Sequence, residues 1–214
     1  MTNDDYCIVS VATFNRLADR YAEKYFDLDM YDGYLGRFVK RIELQGARVL
    51  DVACGPGNVA AYLAKVRLDL KLVGIDLAEE MVKQARLRVP SAEFLVKDCR
   101  DIGNLGQKFD AAAFAFGLSY LTDDDATRFF SSLNAILTDS ALLYLSTITG
   151  ESGCSGFEVS SSGDRVYIVY RSVSDVVSMV EREGYSVDFI EVIASPANAP
   201  TSTQDLILIA QREK

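Results

Sequence analysis

The chain has 214 residues, 49% apolar and 25% charged, which is enough material for one large domain with a substantial core. Its formal net charge of −9 argues against nucleic acid as a partner, because phosphate binding needs a basic surface. It has no histidine, so the commonest general base and the commonest metal ligand are both missing, and serine–histidine or cysteine–histidine hydrolase schemes and His-ligated metals are excluded. Cys7, Cys54, Cys99 and Cys154 show neither a CxxC pair nor zinc-like spacing and read as free thiols of a reducing compartment. No apolar run has the length of a membrane span, and the opening Met1-Thr2-Asn3-Asp4-Asp5 is acidic where a signal peptide is basic; the expectation is a cytoplasmic protein.

Residues 13–44 read as a helical, aromatic-rich block (Tyr21, Tyr25, Phe26, Tyr31, Tyr34, Phe38), interrupted at Gly33 and Gly36. Arg48-Val49-Leu50-Asp51-Val52 is a buried-strand run that ends in the loop Ala53-Cys54-Gly55-Pro56-Gly57, and a helix is expected over residues 58–66. A second strand over 70–75 stops at Asp76. The next helix carries Ala78, Met81, Val82, Ala85 and Val89 on one face and ends at Pro90. A third strand over 93–97 stops at Asp98, and a fourth covers 109–116. Thr122 is placed to cap a helix whose first turn holds Asp123, Asp124 and Asp125, charges suited to a helix N-terminus.

A fifth strand is expected over 141–148, preceded by a loop at Leu137-Thr138-Asp139-Ser140. A hairpin follows, with Phe157-Glu158-Val159 turning through Ser161-Ser162-Gly163 into residues 166–170. Ser174 is expected to cap a last helix ended by Gly184. Residues 186–194 and 205–210 form an antiparallel pair, because the Pro/Asn/Thr link between them is too short for a crossover helix. Alternating strands and helices of this kind make an α/β, Rossmann-like three-layer sandwich. Its sheet has seven strands, mostly parallel, with an antiparallel C-terminal strand.

Ligands of such sheets bind beyond the carboxyl ends of the strands. Gly55 and Gly57 permit a tight turn and close backbone approach to a ligand at a helix N-terminus. Taken alone, Gly55-x-Gly57-x-x-Ala60 also fits a dinucleotide fingerprint. Asp51 sharpens the reading, since a carboxylate there faces a pyrophosphate badly and suits an ammonium or sulfonium charge. Asp76 is placed to accept hydrogen bonds from two ribose hydroxyls, and Asp98 from an adenine amino group.

Val49-Leu50-Asp51-Val52-Ala53-Cys54-Gly55-Pro56-Gly57-Asn58 resembles the first motif of class I S-adenosylmethionine (SAM)-dependent methyltransferases, in their small-molecule, type 11/25-like branch. Val73-Gly74-Ile75-Asp76-Leu77-Ala78-Glu79-Glu80-Met81 is similar to the second motif, and Val96-Lys97-Asp98-Cys99-Arg100-Asp101 to the third. Phe109-Asp110-Ala111-Ala112-Ala113 with Gly117-Leu118-Ser119-Tyr120-Leu121 resembles the fourth-strand segment. The resemblance implies SAM as cofactor: the Ala53 and Gly55 backbone near the methionine moiety with Asp51 close by, Asp76 on the ribose, and Leu77 and Met81 around the adenine. It further implies Asp98 and the Cys99 amide at the adenine edge, and the Ala115 or Phe116 backbone at the methionine ammonium.

On this reading the single domain divides into an N-terminal helical lid (1–45), a SAM-binding core (46–148), an inserted hairpin over the active site (149–172), and a C-terminal helix with its strand pair (173–214). Candidates for the acceptor pocket are Tyr25, Tyr31, Tyr120, Phe157, Tyr170 and Arg171; the acceptor is a small molecule offering O, N or C, and no catalytic residue is assigned. An NAD-dependent oxidoreductase on the same fold and a non-catalytic SAM-binding protein stand as alternatives. Asp51, Asp98 and the antiparallel C-terminal pair count against the oxidoreductase.

Overall fold

The computed structural model describes residues 5–26, 29–160, 163–196 and 203–213. The turn residues Ser161 and Ser162, most of the link between the last two strands, and the acidic first four residues lie outside the described set. The chain runs α1 (Tyr6–Arg16), α2 (Ala18–Tyr25), α3 (Asp32–Arg41), β1 (Arg48–Val52), α4 (Asn58–Val66), β2 (Lys71–Asp76), α5 (Glu79–Arg88), β3 (Glu93–Val96) and β4 (Phe109–Ala115). It continues through α6 (Asp123–Ile136), β5 (Leu137–Thr149), β6 (Gly156–Val159), β7 (Arg165–Ile168), α7 (Val173–Arg182), β8 (Tyr185–Ala194) and β9 (Gln204–Arg212). Single 3-10 turns lie at Cys99–Asp101, Leu118–Tyr120 and Ser152–Cys154.

Seven strands form one sheet in the order β3-β2-β1-β4-β5-β9-β8. The strands of β1 to β5 pair in parallel, while β9 is antiparallel to both of its neighbours, β5 and β8. β8 therefore runs with the first five, and β9 alone is reversed, inserted between β5 and the edge. The reason is in the connection: α7 is a crossover helix, which returns β8 in the parallel sense and leaves a gap that β9 fills.

The strands read as unbroken apolar runs because helices cover both faces of the sheet. Leu50, Ile75, Phe114 and Leu145 point to the side packed by Phe129, Phe130 and Leu133 of α6 and by Val176 and Val180 of α7. Val49, Leu72, Ala113 and Tyr144 point to the other side, against Phe38 of α3, Leu63 of α4 and Ala85 of α5. The two clusters are the two faces of one pleated sheet, with successive residues alternating between them.

Several boundaries differ from the sequence reading. Gly33 and Gly36 lie inside α3, and the N-terminal block breaks instead at Leu17 and before Asp32. A helix begins already at Tyr6, capped by the Asp5 carboxylate, which accepts from the Ile8 amide. The segment 137–140 belongs to β5, paired to β4 across a bulge between Phe109 and Ala111, with Ser140 left-handed at φ 61°. Ser172, not Ser174, caps α7, and it forms a reciprocal capping box with Asp175. Thr122 caps α6 as the sequence implies, and Gly184 at φ +89° follows the end of α7.

Phe129 is fully buried between Phe114, at 4.3 Å between ring centroids, and Phe130, at 5.1 Å. Phe129→Ala should cost about 3–5 kcal/mol of stability, read as a lowered denaturation midpoint with an unchanged slope. A loss below ~1 kcal/mol would contradict this packing.

Candidate active site

The order of the strands reverses at β1: β2 and β3 lie to one side, β4 and β5 to the other. The crevice beyond the carboxyl ends of β1 and β4 is the switch point at which open α/β sheets bind ligands. A cleft opens there, lined by residues of the loops after β1, β2, β3 and β4 and of helices α1 and α2.

The floor is built from backbone held in rare conformations. Ala53, after β1, has φ 51°, and Phe116, after β4, has φ 60°; both line the cleft. Left-handed non-glycine residues cost about 1–3 kcal/mol each and persist where the surroundings fix them. The two strand ends are closely packed: a Cβ on Gly117 would stand 2.1 Å from the Phe114 ring and 2.8 Å from the Ala53 Cβ. Gly57, at φ +94°, sits where α4 starts close to α5: a Cβ there would stand 3.3 Å from the Ala85 Cα. Gly55, at φ +53°, is different, since a Cβ there would meet nothing within 4 Å and would project into open space at the cleft.

Three carboxylates surround this loop. Asp76, at the end of β2, accepts from the Gly55 amide through Oδ2 and from the Ala78 amide through Oδ1, each at 2.8 Å. Burial pushes its carboxyl above the usual range despite those amides. Asp51 is 2% exposed; its Oδ2 accepts from the Ala60 amide at 3.1 Å, and its Oδ1 has no protein partner. Burial, opposed by the Ala60 amide and assisted by Asp76, pushes the Asp51 carboxyl up to about 7. Asp98 is gripped by the Arg100 guanidinium, with Nη2 to Oδ2 at 2.7 Å. Burial raises its carboxyl, but the hydrogen bonds and charge of Arg100 outweigh that and hold it below the usual carboxylate range.

Of the residues singled out in the sequence, Ala53, Gly55, Asp76, Leu77, Met81, Asp98, Cys99, Ala115, Phe116 and Tyr120 all line the cleft. Asp51 and Gly57 lie behind that lining. Tyr25, Tyr31, Phe157, Tyr170 and Arg171 are not part of it. Tyr31 sits behind Phe116, 5.2 Å between ring centroids, and its hydroxyl donates to the buried Asp205 at 2.6 Å. Tyr25 packs on Tyr21 at 4.8 Å. The Tyr170 hydroxyl donates to Glu158, and Phe157 packs against Tyr6 and Tyr167. Arg171 is buried, donating to the Leu118 and Leu121 carbonyls and to Asp123, so it holds the turn that carries Tyr120.

The sequence reading started the helical block at Thr13 and assigned to the site none of the α1 residues that line the cleft. Cys7, Ser10, Val11 and Phe14 of α1, with Tyr21 of α2, close one side of the cleft. The available signal was Asp5, an N-capping residue directly before the helix. Phe14 meets Tyr120 edge-on at 5.0 Å and Tyr21 at 5.7 Å, giving an aromatic wall above the floor. Burial pushes the Tyr21 and Tyr120 phenols well above their ordinary range, so both stay protonated donors at neutral pH. Burial likewise raises the Cys7 thiol, to about 12, and the Cys99 thiol, so neither supplies a thiolate.

Residues 49–140 match the family described as methyltransferase domain. The chain is 34% identical over 115 residues to demethylmenaquinone methyltransferase of Thermotoga maritima, covering 50% of each chain. It is 34% identical over 113 residues to the ubiquinone biosynthesis O-methyltransferase of Xanthomonas euvesicatoria, covering 50% of this chain and 46% of that one. The chain thus spans about half the length of the curated relatives it matches. Among solved structures, the magnesium protoporphyrin IX methyltransferase of Synechocystis PCC 6803, with bound SAM, superposes with a TM-score of 0.70 at 20% identity, covering 100% of this chain and 99% of that one. That likeness shows the shared fold. Residues 49–140 thus match the methyltransferase-domain family, and the chain as a whole shares the Rossmann-like fold of that solved methyltransferase.

Proposed function

We propose that the chain is a SAM-dependent methyltransferase acting on a small-molecule acceptor. The observation that carries this reading is the buried Asp51, whose Oδ1 has no protein partner beneath a glycine loop open to the cleft. A buried, half-satisfied carboxylate repels a pyrophosphate and suits a ligand bearing an ammonium. This favours SAM over a nicotinamide dinucleotide. Gly55 leaves the room that a ligand backbone needs, so the residues present fit the group.

In this reading the Ala53, Gly55 and Phe116 backbone and Asp51 hold the amino-acid end. Asp76 takes the ribose hydroxyls, Leu77 and Met81 flank the adenine, and Asp98 with the Cys99 amide reads its edge. SAM supplies an electrophilic methyl on a sulfonium, whose thioether leaving group needs no proton. The chain's task is then alignment and exclusion of water, which the Phe14, Tyr21, Phe116 and Tyr120 rings perform around the cleft. The Tyr21 and Tyr120 hydroxyls serve as donors that orient the acceptor. Residues 1–45 act as a lid, with 149–172 as the hairpin that buttresses it. Tyr25, Tyr31, Phe157, Tyr170 and Arg171 support the acceptor wall from behind.

The relatives named above act on quinone precursors and a porphyrin, according to their names, and the aromatic wall is consistent with a ring-bearing acceptor here. No helix among the described residues is long and apolar enough to cross a membrane. Together with four free cysteines and a net charge of −9, that supports a cytoplasmic enzyme without a nucleic-acid partner.

Methyl-labelled SAM incubated with a panel of phenols, amines and carbon acids should give label transfer to one class. Tight SAM binding with no transfer to any of them would leave a binder and contradict the enzyme. Asp76→Ala should weaken S-adenosylhomocysteine binding about tenfold to hundredfold, the worth of one or two hydrogen bonds to a charged group, as read by calorimetry. Unchanged affinity would remove the ribose assignment.

Asp51 gives a pH test. A ligand ammonium favours the ionised carboxylate, so binding draws its pKa down from about 7 and releases a proton. Affinity should therefore rise as the pH climbs through 7, and calorimetry in buffers of different ionisation enthalpy should detect the released proton. Asp51→Asn should bind more weakly with that dependence gone. A variant that keeps the wild-type pH profile would show that another group titrates.

A further inference from the structure

Arg100 lies in the 3-10 turn after β3 and is 8% exposed, unusual burial for a guanidinium. Three carboxylates from three distant parts of the chain converge on it. Its Nε and Nη2 fork onto both oxygens of Asp98, at 3.0–3.1 Å and 2.7 Å, and its own backbone amide adds a bond to Oδ1 at 2.9 Å. Nη1 reaches Asp125 of α6 at 3.1 Å, and Nη2 also reaches Asp5 at 2.9 Å. Asp5 is the residue whose side chain caps α1. The turn itself is tied down by the Ser132 hydroxyl, which donates to the Arg100 carbonyl at 2.9 Å.

Two of these carboxylates belong to separate elements that line the cleft. Asp98 lines it directly, and Asp5 begins the helix that brings Cys7, Ser10, Val11 and Phe14 into the lining. The rest of α1 is fastened to the β6–β7 hairpin, through Thr13 to the Arg165 carbonyl at 2.6 Å and through the Ser10 hydroxyl to the Tyr167 amide at 2.9 Å. Tyr6 stacks on Tyr167 at 4.2 Å. At the N-terminal end of α1, Arg100 is the link to the sheet edge that would read the ligand.

We propose that Arg100 is a positioning residue that fixes Asp98 for a 6-amino purine and, through Asp5, latches α1 over the same end of the cleft. The inference rests on the reading of the site as a SAM site. Physically, one guanidinium neutralises carboxylates that would otherwise repel each other across the closing seam. It is planar and forked, so it fixes the orientation of Asp98 as well as its charge. The carboxylate then presents acceptor lone pairs only, which welcome an amino group and reject a carbonyl at the same purine position. Recognition and closure are coupled because both draw on one side chain.

The test compares binding of S-adenosylhomocysteine with its 6-oxo (hypoxanthine) analogue, and measures backbone hydrogen exchange over residues 6–16. The wild type should prefer the amino form, and the ligand should slow exchange in that helix. Arg100→Gln should lose about tenfold or more of the preference, the worth of a charge-assisted hydrogen bond, and should lose the protection of α1. Asp5→Asn, at a half-exposed position tolerant of change, should keep the preference, weaken binding by about two- to fivefold and lose the protection. It carries the test if Arg100→Gln does not fold.

A purely structural Arg100 predicts an unchanged preference and unchanged exchange at 6–16 in the folded variants, and that result overturns both the positioning role and the latch while leaving the SAM reading in place. Wild-type protein that binds neither ligand overturns the SAM reading itself.

Discussion

A carboxylate buried with one oxygen unpartnered costs free energy that the rest of the fold must offset. Asp51 is such a group, and much of the surrounding structure is arranged around it. Its strand lies in the interior of the sheet, flanked by β2 and β4 and covered on both faces. The loop after it adopts left-handed backbone at Ala53, Gly55 and Gly57. The Ala60 amide at the start of α4 supplies only one hydrogen bond. A core of this size tolerates one such penalty, and a ligand cation would relieve it. Asp76, whose two oxygens accept from loop amides, lines the cleft at the same strand ends.

Most of the sheet was legible in the sequence because burial on both faces writes itself as short, unbroken apolar runs punctuated by Gly and Asp. Asn58–Val66 was placed to the residue for this reason, as was the capping role of Thr122. The failures have physical causes. Gly33 and Gly36 looked like helix breaks, but the packing of Leu35, Phe38 and Val39 onto the sheet overrides their low helix propensity. The strand β5 begins four residues early because Leu137 already pairs with Phe109, and the polar Thr138 to Ser140 fall at a bulge before pairing resumes at Leu142, which no alternation pattern announces. The insertion of β9 between β5 and β8 is a choice of topology, invisible in local pattern.

The floor of the candidate site was similarly readable, since Asp51, Asp76 and Asp98 sit at strand ends where the motif places them. The walls were not. The α1 helix carries a mixed apolar face, and its role in the cleft depends on contacts with residues more than sixty positions away, such as the Glu80 amide donating to Asn15. Of the acceptor-pocket candidates chosen by type, Tyr120 lines the cleft, while Tyr31 is held by Asp205 and Arg171 by carbonyls outside the lining. Arg100 is the sharpest case: residues 5, 98 and 125 are unrelated in sequence and meet only in the folded chain.

The roles of Asp51, Asp76 and Asp98 all depend on the nature of the ligand at the β1–β4 switch point, and equilibrium binding to the wild-type chain tests that most directly. Calorimetric titrations with S-adenosylhomocysteine and with NAD, side by side in the same buffer, should show one saturable site for the former and no binding of the latter. Saturable NAD binding with no response to S-adenosylhomocysteine would contradict the assignment of Asp51, Asp76 and Asp98 together.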